Sequence, residues 1–267
     1  MPEKRMTIVD LAEMKAEGEK ITSLTAYDAT FARVLDSAGI EVLLVGDSLG
    51  MVVQGQPTTL PVSVDDMVYH TRAVVRGSRR ALVVADMPFL SYTTPEQALE
   101  AAGRLMQQGG AHMVKLEGGA RRLEVVHRLS EEGLPVCAHL GLLPQSVYKL
   151  GGYRVQGRSD EDAGWLLADA RALQEAGADL LVLECVPEAL AAQVCEALQI
   201  PVIGIGAGAA CDGQVLVLHD MLGMVPEKAP RFVKDFLAGQ QGVAAAVDAY
   251  IRDVKAGRFP GPEHSFE

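Results

Sequence analysis

An α/β fold closing as a (β/α)8 TIM barrel is predicted by three features of this sequence. Short apolar runs recur along it, most are followed by a stretch of helical periodicity, and 267 residues suit the size at which eight such units close into a ring. Near-continuous apolar strands are what a parallel sheet covered on both faces requires, and the helix after each one allows the parallel return. An open doubly wound sheet is the alternative. Its phosphate-binding fingerprint is missing after the first run, where the sequence reads Thr25, Ala26, Tyr27, Asp28.

Taken in order, residues 1–19 stand outside the βα rhythm and are expected to form an N-terminal helical extension over the barrel floor. Strands are expected at 21–26, 42–46, 82–85, 113–116, 136–138, 180–183 and 202–205. An eighth is placed at 215–218, where so short a run could equally open a helix. Helical stretches between them cover 95–108, 120–132, 161–176 and 187–198, several opened by Pro and stopped by Gly. The glycine-rich segment 204–213, GIGAGAACDG, reads as a tight barrel turn in preference to a phosphate cradle. Residues 229–267 read as C-terminal helices and a tail that could pack against another subunit. No low-complexity linker interrupts the chain, so a single domain over 1–267 is expected.

Composition narrows the function. With 24 Lys and Arg against 35 Asp and Glu, the net charge is -11, which argues against a nucleic-acid partner. The start lacks the apolar core of a signal peptide, and no apolar run approaches the roughly 20 residues of a membrane span. A cytoplasmic protein without membrane contact is expected. The four cysteines, Cys137, Cys185, Cys195 and Cys211, have no zinc-type spacing and read as reduced thiols.

Chemistry collects at strand ends. VLLVGD ends in Asp47, LVVAD in Asp86, MVKLE in Glu117, PVCAH in His139 and LLVLE in Glu184. In a barrel these ends converge on the face that carries active sites. Any one of the carboxylates could be a helix N-cap, but five ionisable groups at successive ends speak for a pocket. Asp47 and Asp86 supply the hard oxygen donors that Mg²⁺ prefers. Lys115 and Glu117, two apart on one strand, point to the same side. They could neutralise each other, or place Lys115 on a substrate carboxylate and Glu117 on the metal. Glu184 is followed by Cys185, Val186 and Pro187, an apolar setting that raises a carboxyl pKa toward that of a working base. His139 reads as a structural or hydrogen-bonding residue before a catalyst. Cys137 and Cys185 carry no signature of activated nucleophiles.

These strand ends lie within a longer series of blocks. It includes TAYD at 25–28, VGDSLGMVVQG at 45–55, DMPF at 86–89, VKLEGG at 114–119, HLGLLPQSV at 139–147 and GGYRVQG at 151–157. It continues through LECVP at 183–187, GIGAG and CDGQVLV within 204–217, and EHSF at 263–266. In their order and spacing the chain resembles the ketopantoate hydroxymethyltransferase family from about residue 7 to its end. The resemblance implies a phosphoenolpyruvate/pyruvate-domain-like barrel with Asp47, Asp86 and Glu117 at a Mg²⁺ ion. It further implies a substrate site of Asp47, Ser48, Asp86, Lys115 and His139, and Glu184 as general base. The reaction implied is transfer of a one-carbon unit from 5,10-methylenetetrahydrofolate to 3-methyl-2-oxobutanoate, in a homodecamer. Leu143 and Arg154 depart from the Thr and Lys usual at those positions, away from the metal and the base. Competing readings are another Mg²⁺-dependent 2-oxo-acid aldolase or C–C lyase, and a noncatalytic 2-oxo-acid-binding protein.

Overall fold

The computed structural model describes residues 4–224 and 229–267. Among them, eight parallel strands close a barrel in the order β1 to β8, with β8 pairing back onto β1. The strands are β1 Ile21–Thr25, β2 Val42–Val45, β3 Leu82–Asp86, β4 Met113–Glu117, β5 Val136–Gly141, β6 Leu180–Glu184, β7 Val202–Ile205 and β8 Gly213–Leu216. The helices are α1 Ile8–Glu17, α2 Ala29–Ala38, α3 Leu49–Val52, α4 Val64–Gly77, α5 Pro95–Gly103, α6 Leu123–Glu131, α7 Val147–Leu150, α8 Asp160–Glu175, α9 Glu188–Ala197, α10 Leu218–Met221 and α11 Val243–Lys255. The closed ring excludes the open doubly wound alternative.

Local chemistry explains where helices begin. Thr7 and Asp10 close a capping box at the start of α1, and Ser63 with Asp66 does the same for α4. Asp28 caps α2 through the backbone N–H groups of Thr30 and Phe31. The stretch expected as one helix over 95–108 is α5 followed by a π-helical turn, Arg104–Gln108. The expected helix over 120–132 opens with a 3-10 turn, Ala120–Arg122, before α6.

Strand parity separates two apolar regions. Residues such as Val83, Ala85, Val114, Leu116, Leu181 and Leu183 face outward and pack under the helical shell. Ile21, Val42, Leu82, Val84, Met113, Cys137, Leu180, Val182, Ile203 and Val215 fill the interior, where Leu11 and Met14 of α1 join them. The N-terminal helix therefore does cover the floor. At the other terminus, the expected C-terminal helices reduce to α11 and a 3-10 turn, Pro262–His264. The Tyr250 hydroxyl on α11 reaches the carbonyl oxygens of Ser23 and Gln214 at 2.9 and 2.8 Å, across the β1–β8 seam. Lys255 at the end of α11 pairs at 2.9 Å with Glu41, whose other oxygen holds the N–H and hydroxyl of Thr22.

The eighth strand starts two residues earlier than expected. Leu218, assigned to it from the sequence, instead opens α10, where its N–H donates to the Thr25 hydroxyl at 2.9 Å. The glycine-rich segment after β7 returns to β8 without a helix, as a turn. Gly213 makes that return possible, because it pairs with both Ile21 and Ile203. A Cβ there would lie 2.4 Å from the Ile21 carbonyl oxygen and 2.6 Å from the Ile203 side chain. Gly213→Ala is therefore expected to cost about 1–3 kcal/mol by overpacking the seam. Gly164, inside α8 with open space around it, should instead gain roughly 0.5–1 kcal/mol as alanine. Urea unfolding of the two variants beside the parent chain reads both signs.

Candidate active site

The inward-facing positions of β3 to β6 change character along the strands. In β3 the series is Leu82, Val84, Asp86; in β4, Met113, Lys115, Glu117; in β6, Leu180, Val182, Glu184. Each strand enters the barrel apolar and leaves it ionisable, so the apolar core forms the floor of a charged layer at the carboxyl ends. Register sets the neighbours in that layer: Asp86 aligns with Lys115, Glu117 with His139, and Gly141 with Glu184.

Lys115 is 4% exposed, and its Nζ donates to Asp86 Oδ1 at 2.5 Å. The intrastrand pair with Glu117 considered from the sequence is not the contact formed. Residues two apart in a strand stand nearly 7 Å from each other, whereas adjacent strands are about 4.8 Å apart. Burial alone would lower the Lys115 pKa, but the carboxylates of Asp86, Glu117 and Asp47 outweigh it and raise the net value. The charged ammonium form is therefore favoured. Asp86 Oδ2 accepts the backbone N–H of Asp47 at 3.0 Å, tying the β2 turn to the end of β3.

The remaining carboxylates crowd the same layer. Burial, then the negative charge of Asp86, pushes Asp47 up to about 7. Burial and then Asp47 raise Glu117 well above its usual range. Burial pushes Glu184 up to about 8, with Asp86 adding to it and Lys115 opposing. His139 is driven well below its ordinary value, first by burial and then by Lys115. The ring is neutral. Its Nε2 lies 3.2 Å from Glu184 Oε2 and its Nδ1 3.7 Å from Glu117 Oε1, and neither nitrogen forms an aligned hydrogen bond among the described residues.

Four carboxylates thus face one ammonium in a layer shielded from solvent. Such an excess of like charge is relieved by protonation or by a cation. Carboxylate oxygens are hard donors of the kind that divalent ions such as Mg²⁺ prefer. No three His, Cys, Asp or Glu side chains among the described residues converge as a ready ligand set. Mg²⁺ is commonly bound by only one or two carboxylates, with other positions left to water and substrate.

Glu184 is held by its backbone. Its carbonyl oxygen accepts the N–H of Leu142 at 2.8 Å, an approach open only because Gly141 has no side chain: a Cβ there would lie 2.1 Å from that oxygen, at a φ of +89°. The next residue, Cys185, takes a φ of +48°, which is costly for a non-glycine residue. Hydrogen bonds at 2.9 Å fix it on both sides, from its N–H to Ile205 and to its carbonyl from Gln156. Cys137 and Cys185 are buried and their thiols are pushed up by desolvation, as inert cysteines are. Ser48 lies beside the layer, its hydroxyl 2.8 Å from that of Tyr27.

Three further residues complete the site and carried no signal of their own in the sequence. Gln145 and Tyr92 are buried among the carboxylates, and Tyr153 stands at the mouth, where burial and then the charges of Glu184, Asp47 and Glu117 raise its pKa.

The model of the family described as ketopantoate hydroxymethyltransferase matches residues 5–262. The chain belongs to this family. It is 62% identical over 262 residues to the 3-methyl-2-oxobutanoate hydroxymethyltransferase of Halorhodospira halophila, covering 98% of this chain and 95% of that one. The protein of the same name from Methylococcus capsulatus is 62% identical over 261 residues, covering 98% and 97%. Among solved structures, 2,3-dimethylmalate lyase, a PEP mutase/isocitrate lyase superfamily member, aligns with a TM-score of 0.59 at 20% identity, covering 81% of this chain and 82% of that one. Phosphonopyruvate hydrolase aligns with a TM-score of 0.63 at 13% identity, covering 96% and 100%. At those identities the likeness is one of fold alone, that of a closed parallel β/α barrel.

The raised Glu184 pKa has a consequence for stability. A carboxyl whose folded pKa lies near 8 and whose unfolded value lies near 4.5 binds its proton more tightly when folded. Its contribution is therefore greatest below about 4.5 and is lost as pH rises through 8. In chelator, the parent chain should lose stability between pH 5 and 8 more steeply than Glu184→Gln. The variant should be the more stable at pH 8, by at least about 1 kcal/mol, in urea titrations at both pH values.

Proposed function

We propose that this site transfers a hydroxymethyl group from 5,10-methylenetetrahydrofolate to 3-methyl-2-oxobutanoate, giving ketopantoate, with Mg²⁺ held by Asp47 and Asp86 and Glu117 beside them. One observation carries the reading beyond family membership. Of the four carboxylates in the buried layer, Glu184 alone accepts no aligned hydrogen bond from the described residues, and its side chain is 13% exposed at the mouth. Asp86 is held by Lys115, Asp47 and Glu117 by Gln145. The unheld carboxylate, which burial pushes up to about 8, is the one free to take a proton from carbon.

In this reading the Lys115 ammonium and the Ser48 hydroxyl receive the substrate carboxylate. A bound Mg²⁺ supplies Lewis-acid polarisation of the 2-oxo oxygen. Glu184 removes the proton on C3, and the electrons of that C–H bond form the C2–C3 double bond as negative charge moves to the oxo oxygen. The carbon nucleophile then attacks the methylene carbon of the folate donor, one of whose two C–N bonds has opened. Water displaces the second C–N bond to give the hydroxymethyl group, and the two freed nitrogens of tetrahydrofolate take the proton drawn from C3 and one from water. Neutral His139 stands beside the base, its Nε2 3.2 Å from Glu184 Oε2. The reading includes a homodecameric assembly, carried by the family resemblance, and a cytoplasmic location.

Incubated with 3-methyl-2-oxobutanoate and Mg²⁺ in deuterium oxide, the protein should exchange the C3 proton, seen by NMR, and then form ketopantoate when the folate donor is added. Glu184→Gln should slow exchange by about 10²–10⁴-fold, the usual contribution of a positioned general base. Exchange without ketopantoate would redirect the assignment to another Mg²⁺-dependent 2-oxo-acid aldolase or lyase. Substrate binding with neither step would make the chain a 2-oxo-acid-binding protein.

A further inference from the structure

Gln145 is 6% exposed, and every hydrogen-bonding group of its side chain meets a partner that allows only one assignment. Its Nε2 lies 3.0 Å from the Met87 carbonyl oxygen. A carbonyl can only accept, so that atom must be the amide nitrogen. The second N–H donates to Asp47 Oδ2 at 2.9 Å. The amide oxygen faces the Tyr92 hydroxyl, 2.5 Å away. Tyr92 also accepts the backbone N–H of Glu117 at 3.3 Å, which leaves its own proton to be given to Gln145. The backbone N–H of Gln145 donates to Glu117 Oε2 at 3.1 Å.

One residue thus puts a donor on one oxygen of each of two carboxylates that come from different strand ends. It does so from the 3-10 turn Pro144–Ser146 after β5, where Pro144 fixes the first φ. Turning the amide over would set its oxygen against the Met87 carbonyl and the Asp47 carboxylate, and its nitrogen against the Tyr92 proton. All three contacts would be lost together.

We propose that Gln145 is a positioning residue that holds Asp47 and Glu117 in the orientation in which they serve a divalent cation, with Tyr92 locking its amide. The proposal rests on the reading of Asp47 as a metal ligand. Partners of this kind, which orient ligands without touching the metal, typically change metal affinity 10–100-fold when removed.

Mn²⁺ serves as the probe, with free ion counted by electron paramagnetic resonance during titration of the full chain. Folding of each variant is checked by circular dichroism. Gln145→Met, close in shape but without donors, should weaken Mn²⁺ binding by about 10–100-fold. Tyr92→Phe should weaken it several-fold in the parent chain and add no more than about twofold in the Gln145→Met background, as coupled partners do. Asp47→Asn separates the two ideas. If it abolishes binding while folded Gln145→Met stays within twofold of the parent, the positioning role is overturned and the metal reading survives. If Asp47→Asn binds as tightly as the parent, both fail. Should Gln145→Met not fold, Tyr92→Phe decides alone, and unchanged Mn²⁺ affinity in that variant overturns the proposal.

Discussion

A charged lysine inside the barrel is the constraint around which the rest of this site is arranged. Taking an ammonium out of water costs several kcal/mol unless a partner and hydrogen bonds replace the solvent. Lys115 meets that condition only because Asp86 aligns with it across β3 and β4. A slip of one residue in that register would turn Lys115 outward under the helical shell, where Val114 and Leu116 now lie. The ion pair and the apolar core therefore demand the same strand alignment.

The pair leaves a charge imbalance that accounts for the other features of the layer. Asp86 is committed to Lys115, so Asp47, Glu117 and Glu184 are buried with no cation of their own, and burial raises all three. Where neutral groups can serve, the structure uses them: Gln145 and Tyr92 hold two of the carboxylates, and His139 stays uncharged between Glu117 and Glu184. The backbone shows strain at the same place, in the positive φ of Cys185 directly after Glu184. Strain retained by hydrogen bonds on both sides is what a residue held in one working position requires.

Much of this was legible in the sequence, and the limits have physical causes. Strands buried on both faces leave a strong apolar signal, so seven of them were placed with their ends within a few residues. The eighth was displaced because Val215 to Leu218 is apolar throughout, and only the Thr25 hydroxyl that holds the Leu218 N–H marks where the strand stops. The site carboxylates were visible because strand ends point to one face. Their pairing was not, since Lys115 and Asp86 are 29 residues apart and meet only through register. Gln145 and Tyr92 are uncharged, lie in irregular segments, and acquire meaning from partners as far as 98 residues away. They stood within or near blocks shared with the family, but residue type alone gave them no role.

The buried layer carries more carboxylate than its single lysine can balance, and in the proposed reading a divalent cation completes it. The most direct test is calorimetric titration of Mg²⁺ into the metal-free protein at pH 7 in buffers of different ionisation enthalpy, which counts protons released on binding. With Asp47 near 7 and Glu117 raised, release of roughly half a proton or more per ion is expected. Saturable binding with no proton release would contradict it, because the carboxylates would then already be ionised and balanced without the metal.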